Sequence, residues 1–299
     1  MVNIDNLMTE KNNQNSKHLD QMSLLESIQA MNLEDQKVAL AVKNEIPTIE
    51  KAIELVIHSL KGGGRLIYVG AGTSGRLGIL DAAECVPTFG IDSDQVVGLI
   101  AGGSNAIINA IEGAEDSVEL GKIDLQKINL KANDTVLGIA ASGRTPYVIG
   151  ALDYANQIGA HTISLSCNKG AQLSHSAKVA IEVESGPEFL TGSTRLKAGT
   201  AQKMVLNMIS TLSMVGIGKV YKNLMVDLKP TNEKLIERSK HIIMQATDCN
   251  YDVATQNFYA ANENVKVAIV MILTEKTKAE AEELLNQTRG FIRPAITKQ

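Results

Sequence analysis

The chain has 299 residues, 44% of them apolar and 3% aromatic, with a net charge of −4 and no tryptophan. There is enough apolar material for one large core or two smaller ones, and neither the basic surface nor the stacking platforms of a nucleic-acid binder. Cys85, Cys167 and Cys249 stand far apart, and the five histidines lack ligand spacing, so reduced thiols in a cytoplasmic protein are expected, without a disulfide framework or a metal.

The N-terminal stretch is polar (Asn12, Asn13, Gln14, Asn15) and lacks the apolar core of a secretion signal. The longest apolar runs, such as Val267 to Leu273, are too short to span a bilayer. Residues 1–50 read as a helical arm. Leu24, Leu25 and Ile28 repeat at helical spacing, as do Val38, Ala41 and Val42, and Ser23 with Glu26 forms a candidate capping box. So small an arm buries too little by itself, and is expected to pack on the rest of the chain or on a second subunit.

Residues 51–230 alternate. A helix over 48–60 leads through Gly62 to Gly64 into a strand from Leu66 to Val69. Further strands are predicted at Val96–Ala101, Thr135–Ala140, Thr162–Ser166 and Val179–Val183, mostly as continuous apolar runs separated by helical segments. This is the pattern of an α/β fold with a parallel sheet buried on both faces, in which ligands bind at the carboxyl ends of the strands. A long apolar helix includes Met204 to Val215, and Lys229-Pro230 breaks the chain after it. Residues 231–299 read as a small helical domain, clearest at Ala279–Leu285.

Three segments carry chemistry. After the first strand, Gly70, Gly72 and Gly75 spell G-x-G-x-x-G with Thr73 and Ser74 among them. A dinucleotide site would want an acid at the end of the second strand. Asp92 and Asp94 instead precede that strand, which disfavours nicotinamide or flavin. The remaining logic is anion binding by free N–H groups at a helix N-terminus, with two hydroxyl donors, or glycines that serve packing alone. After the third strand, Ser142, Gly143, Arg144 and Thr145 repeat the arrangement. Two such turns in one sheet would converge on one monophosphate, although each also reads as a hydroxyl cap. Third, Ser193 and Thr194 can cap the long helix, and Arg195 or Lys197 can face a substrate.

Two carboxylates stand out. Glu84 sits among Leu80, Ala82, Ala83, Cys85 and Val86, and a carboxyl enclosed by apolar side chains can serve as a general acid near neutral pH. The alternative is an exposed residue at a helix end. Glu115, between Glu112 and Glu119, would share a helical face with them, a pattern more typical of solvated charge.

Read together, G-A-G-T-S-G-R-L-G, D-A-A-E-C-x-P-T-F-G, I-A-G-G, E-G-A-E-D, G-I-A-A-S-G-R-T-P-Y-V, T-G-S-T-R-L-K-A-G-T-A-Q-K and N-L-M-V-D resemble the N-acetylmuramic acid 6-phosphate etherase family, as does Leu7 to Ser16. The resemblance covers about residues 5 to 240. It implies a sugar isomerase (SIS) domain with a flavodoxin-like parallel sheet and a small C-terminal helical domain. The implied reaction is cleavage of the lactyl ether of N-acetylmuramate 6-phosphate during recycling of cell-wall amino sugars, with no cofactor. It gives Glu84 the proton-donor role and Glu115 the second catalytic position, and it places Ser74, Ser142 and Thr145 at the phosphate. Two positions depart from the pattern: Val86 stands where the family usually has proline, and Ala140 where many sugar isomerase domains have serine.

Geometry adds an expectation. Ser74 and Glu84 are ten residues apart, roughly 15 Å along a regular helix, further than the span from the sugar's C6 to its C3. Either the helix ends early, near Pro87, or Glu84 serves a neighbouring subunit in a homodimer. Two other functions share the fold signals: an aldose–ketose phosphosugar isomerase, and a non-enzymatic sugar-phosphate sensor akin to the glucokinase regulatory protein.

Overall fold

The computed structural model describes residues 7–109 and 111–297. Residues 1–6, 110 and 298–299, which the predicted arm, central domain and terminal domain take in, lie outside the described residues. The chain divides into two compact units, one within residues 1–83 and 94–210 and the other within 84–93 and 211–299. The sequence reading divides the chain at residue 230, whereas this division falls at Ser210.

The first unit opens with three short 3-10 turns (Met8–Glu10, Gln14–Ser16, Leu19–Gln21), then α1 (Leu24–Lys43) and α2 (Ile46–Lys61). The Ser23–Glu26 capping box is present at the start of α1. A largely alternating stretch follows, with two helices between β2 and β3 and no α-helix between β4 and β5: β1 (Leu66–Gly70), α3 (Gly72–Phe89), β2 (Val96–Ile100), the single turn α4 (Asn105–Ile108), α5 (Val118–Lys127), β3 (Thr135–Ile139), α6 (Pro146–Ile158), β4 (His161–Ser166), β5 (Val179–Glu182) and α7 (Lys197–Gly216). Pro87 does not end α3, which continues to Phe89.

The five strands form one parallel sheet in the order β2-β1-β3-β4-β5, the flavodoxin-like order. β1 and β3 are buried along their whole length, as interior strands covered on both faces must be. The chain leaves β1 toward β2 and then returns past β1 to β3. That reversal opens a crevice at the carboxyl ends of β1 and β3, the place where such sheets bind ligands.

The opposite end of the same two strands is a stability device. Asp134, fully buried before β3, accepts from the Arg65 side chain (2.7 Å at Nη2) and from the backbone N–H groups of Arg65 and Lys131. The Arg65 guanidinium also donates to the carbonyls of Ile128 and Asn129. Each buried charge is met by several partners, which offsets its desolvation.

The second unit carries the hairpin β6–β7 (Val220–Tyr221, Leu224–Met225) and the helices α8 (Glu233–Thr247), α9 (Tyr251–Ala260), α10 (Val265–Thr274), α11 (Lys278–Gln287) and α12 (Ile292–Thr297). The asparagines that punctuate this sequence are helix caps. Asn232, Asn250 and Asn264 accept from the N–H groups of Leu235, Val253 and Val267, and Thr277 with Glu280 completes a capping box. α10 is apolar on every side because it lies in the middle of this unit's core, with Val267, Ala268, Ile269 and Val270 buried.

Candidate active site

The turn from β1 into α3 is built by close packing of backbone. A Cβ on Gly75 would meet Ile100 Cγ1 at 2.6 Å and the Gly70 carbonyl oxygen at 2.8 Å. Glycine at both positions lets the helix start directly on the strand end, which exposes its first turn to a ligand. At the end of β3, residues 140–145 wrap round Gly143, whose φ of +71° suits glycine. Ser142 Oγ accepts the Arg144 N–H at 3.3 Å. Thr145 is the N-cap residue of α6, yet its side chain makes no cap bond. Its hydroxyl therefore does not serve as a helix cap.

The two turns meet in one open cavity of about 410 Å³. Gly72, Thr73, Ser74, Ser142, Arg144, Thr145 and Thr194 line it, and so does Glu115. Gly143 lies within the second turn. The cavity thus joins hydroxyl donors, an arginine and a helix N-terminus to a carboxylate, which suits a monophosphate carried by a molecule undergoing proton transfer. Arg76 braces the neighbouring loop by donating to the carbonyls of Ile107 (2.8 Å) and Asn109 (3.4 Å).

Other predicted site residues stand differently. Lys197 does not reach this cavity. Its side chain is 1% exposed, and its ammonium bonds Glu34 Oε2 at 2.7 Å. Ser193, half-buried, does not line the cavity either. Neither Ser193 nor Thr194 caps α7. The cap is Glu188, fully buried, whose carboxylate accepts the N–H groups of Lys197 and Ala198 at 2.8 and 2.9 Å. Burial pushes the Glu188 pKa up, against those two bonds.

Glu115 does not share a helical face with Glu112 and Glu119. It sits on a 3-10 turn (Ala114–Asp116), with Glu119 in α5 beyond it. Glu84 is exposed, not enclosed by apolar side chains as expected. The inward carboxylate of α3 is Asp81. Burial raises its pKa, while Tyr68 Oη donates to it at 2.7 Å and Ser210 Oγ at 3.1 Å. Helix phase decides which of two nearby acids turns in, and apolar neighbours in sequence do not report it.

Among the described residues, no group of three or more His, Cys, Asp or Glu side chains could hold a metal. No helix among them is long and apolar enough to cross a membrane.

Residues 48–156 match the glucokinase regulatory protein N-terminal SIS domain, and residues 106–212 match the SIS domain. Over 295 residues the chain is 63% identical to N-acetylmuramic acid 6-phosphate etherase 2 of Enterococcus faecalis, covering 99% of this chain and all of that one. The chain belongs to the N-acetylmuramic acid 6-phosphate etherase family. It is 60% identical, at the same coverage, to N-acetylmuramic acid 6-phosphate etherase 2 of Lactiplantibacillus plantarum. It is also 60% identical to the N-acetylmuramic acid 6-phosphate etherase of Bacillus cereus strain AH187, over 98% of this chain and all of the relative. Among solved structures, phosphoheptose isomerase from Neisseria gonorrhoeae aligns with a TM-score of 0.49 and 18% identity, covering 64% of this chain and 98% of that one.

Sequence reasoning missed several residues at this cavity. Glu10 and Asp116 also line the cavity, Asn168 ties the N-terminal segment to it, and Gln202 bonds Ser74. Gln202 stands in the third motif and Glu10 in Leu7 to Ser16, but periodicity says nothing of contacts made across 128 to 160 positions.

Proposed function

We propose that this protein cleaves the D-lactyl ether of N-acetylmuramic acid 6-phosphate, giving N-acetylglucosamine 6-phosphate and D-lactate. The observation that carries this reading is the single cavity in which the Ser74 and Ser142–Thr145 turns face the same space as Glu115. The phosphate sits on the hydroxyls and the α3 N-terminus. In the open-chain sugar the C1 aldehyde acidifies the C2 hydrogen. Glu115 removes that proton, and negative charge develops on the C1 oxygen, where preorganised donors stabilise it. The C3–O bond then breaks as an acid protonates the ether oxygen, leaving a C2=C3 double bond and free lactate. Water adds at C3 and a proton returns to C2. We assign Glu84 as the acid that protonates the leaving oxygen and then as the base that activates water.

α3 runs unbroken from Gly72 to Phe89, so Glu84 stands roughly 15 Å of helical rise beyond Ser74. This supports a homodimer in which Glu84 completes the site of the partner subunit. A second feature supports a dimer: Leu24, Leu25, Ile28, Leu33 and Leu40 of α1 are 56–78% exposed, and Leu33 and Leu40, two turns apart, lie on one side of the helix. A phosphorylated substrate, which does not cross lipid unaided, fits a cytoplasmic location.

Purified protein incubated with N-acetylmuramic acid 6-phosphate tests the reaction. D-lactate and N-acetylglucosamine 6-phosphate are expected in equal amounts. Interconversion of aldose and ketose phosphosugars without lactate would replace the reading with an isomerase, and binding without turnover would replace it with a sensor.

A further inference from the structure

Residues 7–10, at the start of the described N-terminal segment, are fastened beside the cavity by the Asn168 side chain. Asn168, 3% exposed and just past the carboxyl end of β4, accepts the backbone N–H groups of Met8 (2.7 Å) and Thr9 (3.4 Å) on Oδ1. Its Nδ2 donates to Thr9 Oγ1 (3.1 Å) and to the Ala141 carbonyl (3.0 Å), inside the second hydroxyl turn. Leu7 and Thr9 are buried. An amide that spends all of its near hydrogen bonds in this way fixes residues 7–10 relative to the Ser142 turn.

The residue so positioned is Glu10. It lines the cavity, and its Oε2 lies 3.4 Å from where a Cβ on Gly192 would stand. Gly192, at φ +77°, leaves room for that carboxylate. Among the described residues the Glu10 carboxylate makes no hydrogen bond or ion pair, and only the backbone N–H of this half-buried residue is bonded, to the Leu7 carbonyl at 3.1 Å. A carboxylate held over a ligand cavity without a partner has acceptors to offer and repels anions.

We infer that Glu10 is a specificity-determining residue of this site, accepting hydrogen bonds from neutral donors of the sugar, its hydroxyls or acetamido N–H, and turning the substrate's second anion, the lactyl carboxylate, away from this wall. The inference rests on the etherase reading for its substrate and adds a contact to it. Glu10 orients the sugar once Ser74, Ser142 and Thr145 have taken the phosphate.

The test compares the full-length wild type with Glu10→Gln and Glu10→Ala, using lactate release and inhibition by inorganic phosphate. Wild-type lactate release establishes the reaction independently. The expected result is a KM at least tenfold higher in Glu10→Ala, with a smaller rise in Glu10→Gln, whose amide oxygen still accepts. Inhibition by inorganic phosphate should be unchanged or tighter in both, and Tm unchanged. A KM equal to wild type in both variants overturns the inference. So does weaker phosphate inhibition that parallels the KM change, because Glu10 would then be shaping the phosphate turn and not the sugar. Absence of lactate in the wild type would strike the reaction. Glu10 would then be judged by phosphosugar affinity from calorimetry, with the same direction expected.

Discussion

The Ser74 hydroxyl donates to Gln202 Oε1 at 3.0 Å, while Gln202 Nε2, fully buried, has no hydrogen-bond partner among the described residues. A serine that spends its only hydrogen on an amide oxygen has none for a phosphate. Rotating the Gln202 amide by half a turn places Nε2 against Ser74 Oγ, so that the amide donates and the serine hydrogen is released to the anion. Glutamine is the residue that permits both arrangements.

Gln202→Glu should therefore weaken phosphosugar binding. A carboxylate only accepts, which holds the Ser74 hydrogen and adds negative charge behind the phosphate. Loss of one charge-assisted hydrogen bond is about 1.5–3 kcal/mol, so KM should rise at least about tenfold with a smaller change in kcat. Steady-state lactate release measures both.

The proton-transfer assignment separates two variants. Glu84→Gln should still exchange the C2 hydrogen of the sugar with deuterated solvent while releasing no lactate. Glu115→Gln should lose exchange and release together, with kcat lower by about 10²–10⁴. Mass spectrometry of recovered substrate reads the exchange. Exchange lost in Glu84→Gln and kept in Glu115→Gln would reverse the two roles.

Lys197 and Glu34 form a buried pair, and removing one charge strands the other. Lys197→Met should lower stability by about 3–5 kcal/mol, with KM of the folded enzyme near wild type. Adding Glu34→Leu should recover part of that loss. Chemical denaturation checks both.

The same pair sets an acid limit. Burial of Glu34 opposes ionisation, but hydrogen bonds from Lys197, Lys37, Asn15 and Asn13 outweigh it and bring its pKa from 4.5 down to about 2. A depressed carboxylate stabilises the fold fully above its unfolded value, and that contribution is lost as pH falls from about 4.5 toward about 2. Glu34→Gln should flatten the dependence of Tm on pH in this window relative to wild type.

Subunit sharing predicts complementation. Ser74→Ala and Glu84→Ala proteins, assayed at a substrate concentration where each alone is weak or inactive, should when mixed under conditions of proven subunit exchange exceed the sum of their separate activities. Leu33→Glu with Leu40→Glu on α1 should shift the wild-type mass toward the monomer in sedimentation. No such excess would leave each chain with its own complete site.

Much of this molecule was legible in its residues. Continuous apolar runs at Leu66 and Thr135 marked interior parallel strands because both sheet faces are covered, and the glycine–hydroxyl turns after them marked a ligand edge because helices begin there. Sequence could not tell that Asp81 turns inward while Glu84 is exposed, that Lys197 is spent on Glu34, or that Glu188 caps α7. Those outcomes depend on helix phase and on partners up to 163 positions away, which no local pattern encodes. Nor could it see Glu10, whose place at the cavity comes from Asn168 reaching across 160 positions. Local chemistry thus determined which segments line the cavity, and long-range packing alone decided which side chains arrive there.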